Sequence, residues 1–167
     1  ITDDYYPSLN TMGLALLESE NYAEALGYYE SCFRMKPRNP DVTDAVGQIA
    51  AKATELGDFP TAIRAYDILI AEQPTAAVYG SLGQLYGQHL GDPTKAEESF
   101  QKALSLEPEN PAILGNLGIV YAMTGRADEA IALFDRALAA NPKNARMYLN
   151  KGRALRQLGK VAEADET

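Results

Sequence analysis

The strongest constraint on this chain is a motif that recurs about every 34 residues. Four prolines mark it, and successive prolines are 37, 34 and 34 residues apart. An alanine precedes each proline, with an aromatic residue four positions after the alanine. These sets are Ala25–Tyr29–Pro37, Ala62–Tyr66–Pro74, Ala96–Phe100–Pro108 and Ala130–Phe134–Pro142. Self-similarity at this period predicts stacked supersecondary units, none of which buries its apolar face alone.

A second apolar pattern lies upstream of each alanine. It places apolar residues at i, i+3 and i+7 and a small residue at i+4, which is one face of a helix. The sets are Leu9-Met12-Gly13-Leu16, Val46-Ile49-Ala50-Ala53, Tyr79-Leu82-Gly83-Tyr86 and Leu114-Leu117-Gly118-Tyr121. A fifth set opens with Tyr148, Gly152 and Leu155 and extends to Thr167. Each unit is therefore predicted to be two helices joined by a turn, the second helix ending at the proline.

The small residue of each first helix suggests a close helix–helix contact. Glycine inside a helix costs about 1 kcal/mol relative to alanine, so its recurrence implies a packing requirement. We expect the alanine of the second helix to meet this surface, with the aromatic residue filling the space beside it.

These residues resemble the tetratricopeptide repeat family. The segment "LGNLGIVYAMTGRADEAIALFDRALAANP" follows the family pattern almost throughout, and "YGSLGQLYGQHLGDPTKAEESFQKALSLEP" follows it with one extra residue, which we place in the turn near Asp92–Thr94. The resemblance implies an all-α fold, a right-handed α-α superhelix whose first helices line a concave groove. It divides the chain, as a single array over 1–167, into repeats at about 6–39, 40–75, 76–110 and 111–144 and a partial fifth at 145–167.

Composition and motifs narrow the functional classes. A net charge of −8 argues against broad nucleic-acid binding, which needs clustered Lys and Arg. The sequence contains no apolar run long enough to span a membrane. The single histidine, His89, is expected at the surface beside a turn, and the single cysteine, Cys32, is expected to pack in the core. With no catalytic, phosphate-binding or metal-ligand pattern, we predict a non-enzymatic protein without cofactor or metal.

The ends and the compartment stay open at this stage. The chain starts at Ile1 rather than Met, which suggests a piece of a longer protein. We favour the cytoplasm, and one cysteine is also compatible with the periplasm.

A predicted ladder of polar residues marks the groove. The residue two positions after each leading apolar residue is uncharged and polar in all five repeats: Thr11, Gln48, Ser81, Asn116 and Asn150. Amides and hydroxyls both donate to and accept from a peptide backbone. The ladder resembles the asparagine ladder of tetratricopeptide domains that hold extended peptides, although only Asn116 and Asn150 are asparagines. The alternative is an ordinary solvated helix face.

The fifth first helix carries a basic stripe, which we define as Arg146, Asn150, Arg153 and Gln157 with Arg156 adjacent. Arginine binds carboxylates through two parallel hydrogen bonds, so the stripe is suited to an acidic group or a C-terminus. The carboxylate clamp of chaperone-binding relatives is not expected, because Asn10, Gly47 and Gly80 supply no lysine. Alternatively, the acids that follow in "VAEADE" neutralise the stripe.

Three functions remain open. The first is a protein-interaction module whose groove binds a peptide or partner segment, with apolar contacts from Leu14 and Ile119 and further lining from Asn10 and Gln84. The second is a self-assembling scaffold, such as the tetratricopeptide proteins that coat bacterial organelles like the magnetosome. The acidic N-terminal half and the basic residues at 143–160 are complementary, which would favour head-to-tail contact in a homo-oligomer. The third is the substrate-recruiting arm of a larger enzyme.

Overall fold

The computed structural model describes residues 5–165, and all regular structure in that range is helical. Consecutive helices pack in antiparallel pairs, which confirms the all-α prediction. The helices are α1 (Tyr5–Glu18), α2 (Tyr22–Met35), α3 (Pro40–Leu56), α4 (Phe59–Glu72), α5 (Ala76–Gln84), α6 (Pro93–Leu106), α7 (Pro111–Met123), α8 (Ala127–Ala140), α9 (Ala145–Gln157) and α10 (Val161–Asp165). A π-helical turn at Leu85–His89 continues α5.

The chain forms two compact units, one ending at Pro74 and the other beginning at Thr75. The N-terminal unit contains α1–α4, and its core includes the fully buried Leu26, Tyr29 and Ile49. The C-terminal unit contains α5–α10, with a core built around Phe100, Leu114, Phe134 and Met147. That both units belong to a single array over 1–167 stays a prediction.

Local sequence signals set the helix ends. The four second helices each end two residues before a proline, at Met35, Glu72, Leu106 and Ala140. The residue between helix and proline has an extended φ of −133° to −151°, as steric contact with the proline ring requires. Most first helices begin at a polar cap: Asn110 accepts hydrogen bonds from the backbone N–H of Ala112 and Ile113, at 3.1 and 3.2 Å. Proline therefore ends the second helices as predicted.

In three repeats a glycine of the first helix lies directly beneath an aromatic ring of the second helix. A Cβ built on Gly118 would lie 2.6 Å from Cε1 of Phe134, and one on Gly83 would lie 2.7 Å from Cε1 of Phe100. Gly13 has the same relation to Tyr29, at 2.8 Å. In these three pairs the nearest atoms belong to the ring rather than to the alanine that we expected there. The glycine makes room for the aromatic side chain. In the fifth pair the alanine does meet the glycine: a Cβ on Gly152 would lie 3.4 Å from the backbone oxygen of Ala164.

The extra residue of the third repeat lies in the π-helical turn. A residue with positive φ stands five positions before each of the repeat alanines: Glu20, Gly57, Gly91, Gly125 and Gly159. The turn is therefore equally long in every repeat. In the fourth repeat the backbone N–H of Arg126 donates to the carbonyl of Tyr121, whereas in the third Asp92 donates to the carbonyl of Tyr86, one residue further back. Our placement of the insertion near Asp92–Thr94 was wrong, because the turn geometry is conserved within the chain and the helix absorbs the residue.

We predict that Gly118→Ala lowers the free energy of unfolding by about 1–3 kcal/mol, because the new methyl group overlaps the ring of Phe134. Urea unfolding followed by circular dichroism measures this change. Gly80→Ala is the matched control on α5, where a Cβ would meet Ile113 at an ordinary 3.7 Å. It should be neutral or raise the free energy by about 0.5–1 kcal/mol. Equal effects of the two substitutions would contradict the packing role of the glycine.

Tyr29 carries the one buried side-chain polar atom without a hydrogen-bond partner in the part of the chain that the structure describes. Its ring is fully buried against Gly13, at the position that Phe100 and Phe134 occupy in later repeats. Burial, with a smaller contribution from Cys32, raises the pKa of the Tyr29 hydroxyl to about 12. The folded state therefore holds the phenolic proton at a pH where the unfolded chain releases it.

We predict that Tyr29→Phe is neutral or stabilising by up to about 1 kcal/mol, because it removes an unsatisfied buried hydroxyl. In the parent chain the folded-state pKa of Tyr29 exceeds the unfolded value near 10, so the free energy of unfolding should fall as pH rises from about 10 to 12. The slope from this group is at most about 1.4 kcal/mol per pH unit. Denaturant titrations at several pH values should show a shallower fall for Tyr29→Phe. An identical fall in both proteins would contradict the assignment.

Candidate functional site

Two adjoining depressions in the C-terminal unit follow its first helices, α5, α7 and α9. The first is lined by Gly83, Gln84, Gly87, Gln88, Phe100, Asn116, Ile119, Val120 and Met123. The second is lined by Ile119, Ala122, Met123, Phe134, Asn150, Arg153, Ala154 and Gln157. Because Ile119 and Met123 border both, the depressions form one continuous surface, which we call the C-terminal groove.

Five of the predicted site residues line this groove: Gln84, Asn116, Ile119, Asn150 and Arg153. Two others belong to the same unit but not to this lining; Ser81 is half-buried on α5 and Arg146 is exposed on α9. The remaining four lie in the N-terminal unit. Asn10 is half-buried, and the other three, Thr11, Leu14 and Gln48, are exposed. The Thr11 hydroxyl donates to the carbonyl of Pro7 at 2.8 Å within its own helix. Participation of these four residues in a groove stays a prediction.

Asn116 is the most informative polar residue of the groove. The residue as a whole is only 8% exposed and its side chain forms no hydrogen bond with any residue between 5 and 165, but its amide atoms are not fully buried. Asn150, one repeat further along, is half-buried and likewise has no side-chain partner in that range. Withdrawing an amide from water without a protein partner costs free energy. Both amides therefore face a surface where their donors and acceptors stay available to a ligand.

The basic stripe on α9 is partly neutralised. The guanidinium of Arg156 pairs with Asp165 of α10 at 2.8 Å, and Lys151 pairs with Asp135 of α8 at 2.7 Å. Arg146 and Arg153 are exposed and form no salt bridge with residues 5–165. The alternative to a binding role is that the acidic residues of the last helix neutralise the stripe. Among residues 5–165, the salt bridges show this for Arg156 and not for Arg146 or Arg153. Two positive charges remain beside the groove.

Sequence reasoning missed several residues of the lining, among them Gly87, Gln88 and Met123. Met123 ends α7 and is 74% exposed, the highest exposure among the large apolar side chains that the structure describes. Gly87 and Gln88 belong to the π-helical turn. The extra residue of the third repeat was the signal that could have identified them, had it been placed in the helix.

Two other residues of possible chemical interest, Arg126 and Cys32, are engaged in contacts that hold the fold together. Arg126 pairs with Glu97 and with Glu129, both at 2.8 Å, and lies 3.6 Å above the ring of Tyr121. These contacts raise the pKa of Arg126 and connect α6, α7 and the start of α8. Cys32 is buried in the core, and burial raises the pKa of its thiol. Residues 5–165 contain no cluster suited to a metal ion and no helix both long and apolar enough to cross a membrane.

Paired antiparallel helices, a ring-on-glycine contact in three of the pairs and a groove along the first helices of the C-terminal unit define a helical-repeat protein of the interaction class. Family models described as tetratricopeptide repeat match this chain over residues 6–39 and over residues 89–147 and 124–167. The chain belongs to the tetratricopeptide repeat family and is a protein-interaction module or scaffold. Proteins of this family are typically non-enzymatic.

Individual relatives cover the chain in different ways. Photosystem I assembly protein Ycf3 of Synechococcus sp. (strain WH7803) is 35% identical over 85 residues, which cover 48% of this chain and 49% of the relative. The match thus spans about half the length of that curated relative. A crystal structure of MamA superposes with a TM-score of 0.74 at 19% identity, covering 96% of this chain and 86% of that one. The type IV pilus biogenesis factor PilW superposes with a TM-score of 0.68 at 21% identity, covering 99% and 75%. At these identities the two structures show the shared fold alone.

Proposed function

We propose that the C-terminal groove binds an extended segment of another protein. The observation that carries the proposal is Asn116, a residue that is 8% exposed, whose amide reaches the surface without a partner in residues 5–165 and borders an open depression. A bound backbone would supply the hydrogen bonds that this amide lacks. Asn150 offers a second amide one repeat further along, so the two together suit a segment that crosses α7 and α9.

The remaining lining sets the chemistry of the partner. Ile119 and Met123 provide apolar contact between the two amides. Arg153 borders the second depression, and Arg146 lies two turns earlier on the same face of α9. Because neither arginine has an ion-pair partner in residues 5–165, a carboxylate of the partner would bind without displacing an existing salt bridge. The partner is therefore an extended segment with an acidic side chain or a free C-terminus.

We predict that the full chain selects acidic peptides from a display library of random dodecapeptides. Isothermal titration calorimetry should show that Asn116→Ala with Asn150→Ala binds a selected peptide about tenfold or more weakly, since two hydrogen bonds contribute about 1 kcal/mol each. Arg153→Glu should weaken binding further and reduce its dependence on salt.

Two control variants belong with this experiment. Asn141→Ala changes an exposed asparagine outside the groove, and Arg34→Glu reverses an exposed charge in the N-terminal unit. Both should leave peptide affinity within about twofold of the parent. Unchanged affinity in the Asn116 and Asn150 double variant would exclude the amides as the binding site.

A second function, self-assembly, is favoured by one observation. Arg146 and Arg153 are unpaired and exposed within residues 5–165, while the chain as a whole has a net charge of −8. A basic surface on one copy could contact an acidic surface on the next, and such a head-to-tail contact can continue. We predict association at about 10 mM salt that disappears at about 500 mM, because the Debye length shortens. Light scattering across ionic strength checks this; a monomer at low salt and high concentration would exclude the scaffold.

A further inference from the structure

The π-helical turn at Leu85–His89 borders the groove at the point where a third depression meets the first. This third depression is lined by Gly87, Gly91, Pro93, Val120, Met123 and Thr124. It shares Gly87, Val120 and Met123 with the first depression. The groove therefore continues beside the π-helical turn, in a part of its lining where carbon atoms predominate.

Two features of the third repeat leave this space open. The inserted residue converts the end of the first helix to π geometry, which widens the backbone locally. Gly87 then presents no side chain; a Cβ there would lie 3.4 Å from Cβ of Ala96 and 4.0 Å from Cγ2 of Val120. The fourth repeat has neither feature, because α7 is a regular α-helix through Met123 and carries Ala122 in its last turn.

We propose that the π-helical turn forms a pocket for one bulky apolar side chain of the bound segment and thereby determines the specificity of the groove. This inference rests on the proposed function. The occupant is an extended segment that combines an aliphatic or aromatic side chain with an acidic group. The apolar side chain enters between Gly87, Val120 and Met123, and the acidic group reaches Arg153 across Ile119. The groove thus offers such a segment an amide at Asn116, an apolar surface at Ile119 and Met123, and a positive charge at Arg153.

The test uses the full chain and a display library of random dodecapeptides. Selected peptides should share a bulky apolar residue and an acidic residue. Replacing that apolar residue by alanine in a synthetic peptide should weaken binding to the parent chain about tenfold or more, as expected for burying one large side chain. Deleting Gln88, whose side chain is exposed, restores the spacing of the neighbouring repeat. In this variant the selected peptide should bind less than about twofold more tightly than its alanine-substituted form. The preference for an acidic residue should remain.

A second variant guards against failure of the deletion to fold, which circular dichroism and thermal unfolding detect. Met123→Ala removes one wall of the pocket at a side chain that is 74% exposed, so the fold should tolerate it. It should reduce, at least threefold, the ratio of the affinity for the selected apolar peptide to the affinity for its alanine-substituted form. Met12→Ala, at a 48% exposed methionine of α1, is the matched control and should leave the ratio unchanged.

The possible results separate the inference from the proposed function. If the parent selects no peptide, both are overturned. If it selects peptides that depend on Asn116 and Asn150 but have no apolar preference, or keep that preference after both pocket changes, only the inference is overturned. Sedimentation equilibrium at the binding concentrations identifies a second copy as the occupant: a dimer that the selected peptide dissociates would overturn the assignment to a foreign segment.

Discussion

The contact between an aromatic ring of the second helix and a glycine of the first sets how closely the helices of a pair approach. Helix separation depends on the side chains at the contact, and Gly83 and Gly118 leave no room for even a methyl group beneath Phe100 and Phe134. Glycine in a helix costs about 1 kcal/mol, but a fully buried aromatic side chain contributes about 1.5–3 kcal/mol. In the second repeat Ala50 replaces the glycine, and Tyr66 is 9% exposed where the other rings are 0–2%. Each of these first helices therefore packs against its second helix through the one face that carries the small residue.

That arrangement explains why polar side chains can line the C-terminal groove without disturbing the core. The packed face of α7 carries Leu114, Leu117 and Tyr121, all buried, so the positions between them are not needed for pairing with α8. Asn116 occupies such a position and borders the first depression of the groove. Its amide has no partner in residues 5–165 and is not fully buried, so it adds no internal hydrogen bond to the fold and stays accessible from the groove.

The sequence predicted those features that depend on local chemistry. Proline ended the second helices, small and aromatic residues marked the paired faces, and the period predicted the number of helix pairs. Three features depended on packing that no single repeat contains. In three pairs the ring rather than the alanine lies nearest the glycine, and Arg156 rather than Arg146 or Arg153 pairs with α10. Asn116 is buried whereas Asn150 is half-buried, although both occupy the same repeat position. All three depend on the side chains of neighbouring helices.

The insertion in the third repeat shows why a local irregularity can be confined to one wall of the groove. The turn before α6 cannot lengthen, because Gly91 must keep its positive φ of 61° and the cap at Asp92 must accept from the backbone of Lys95 at 3.0 Å. The ring contact at Gly83 fixes the helix on the other side. An added residue between these two fixed points can only widen the helix, since a π-helical turn accommodates one extra residue without shifting either flank. The widened segment borders the groove at Gly87, where a Cβ would lie 3.4 Å from Cβ of Ala96 and 4.0 Å from Cγ2 of Val120. The first helix of the fourth repeat is regular through Met123 and carries Ala122 in its last turn, so the departure from the regular repeat is confined to the wall that the third repeat supplies.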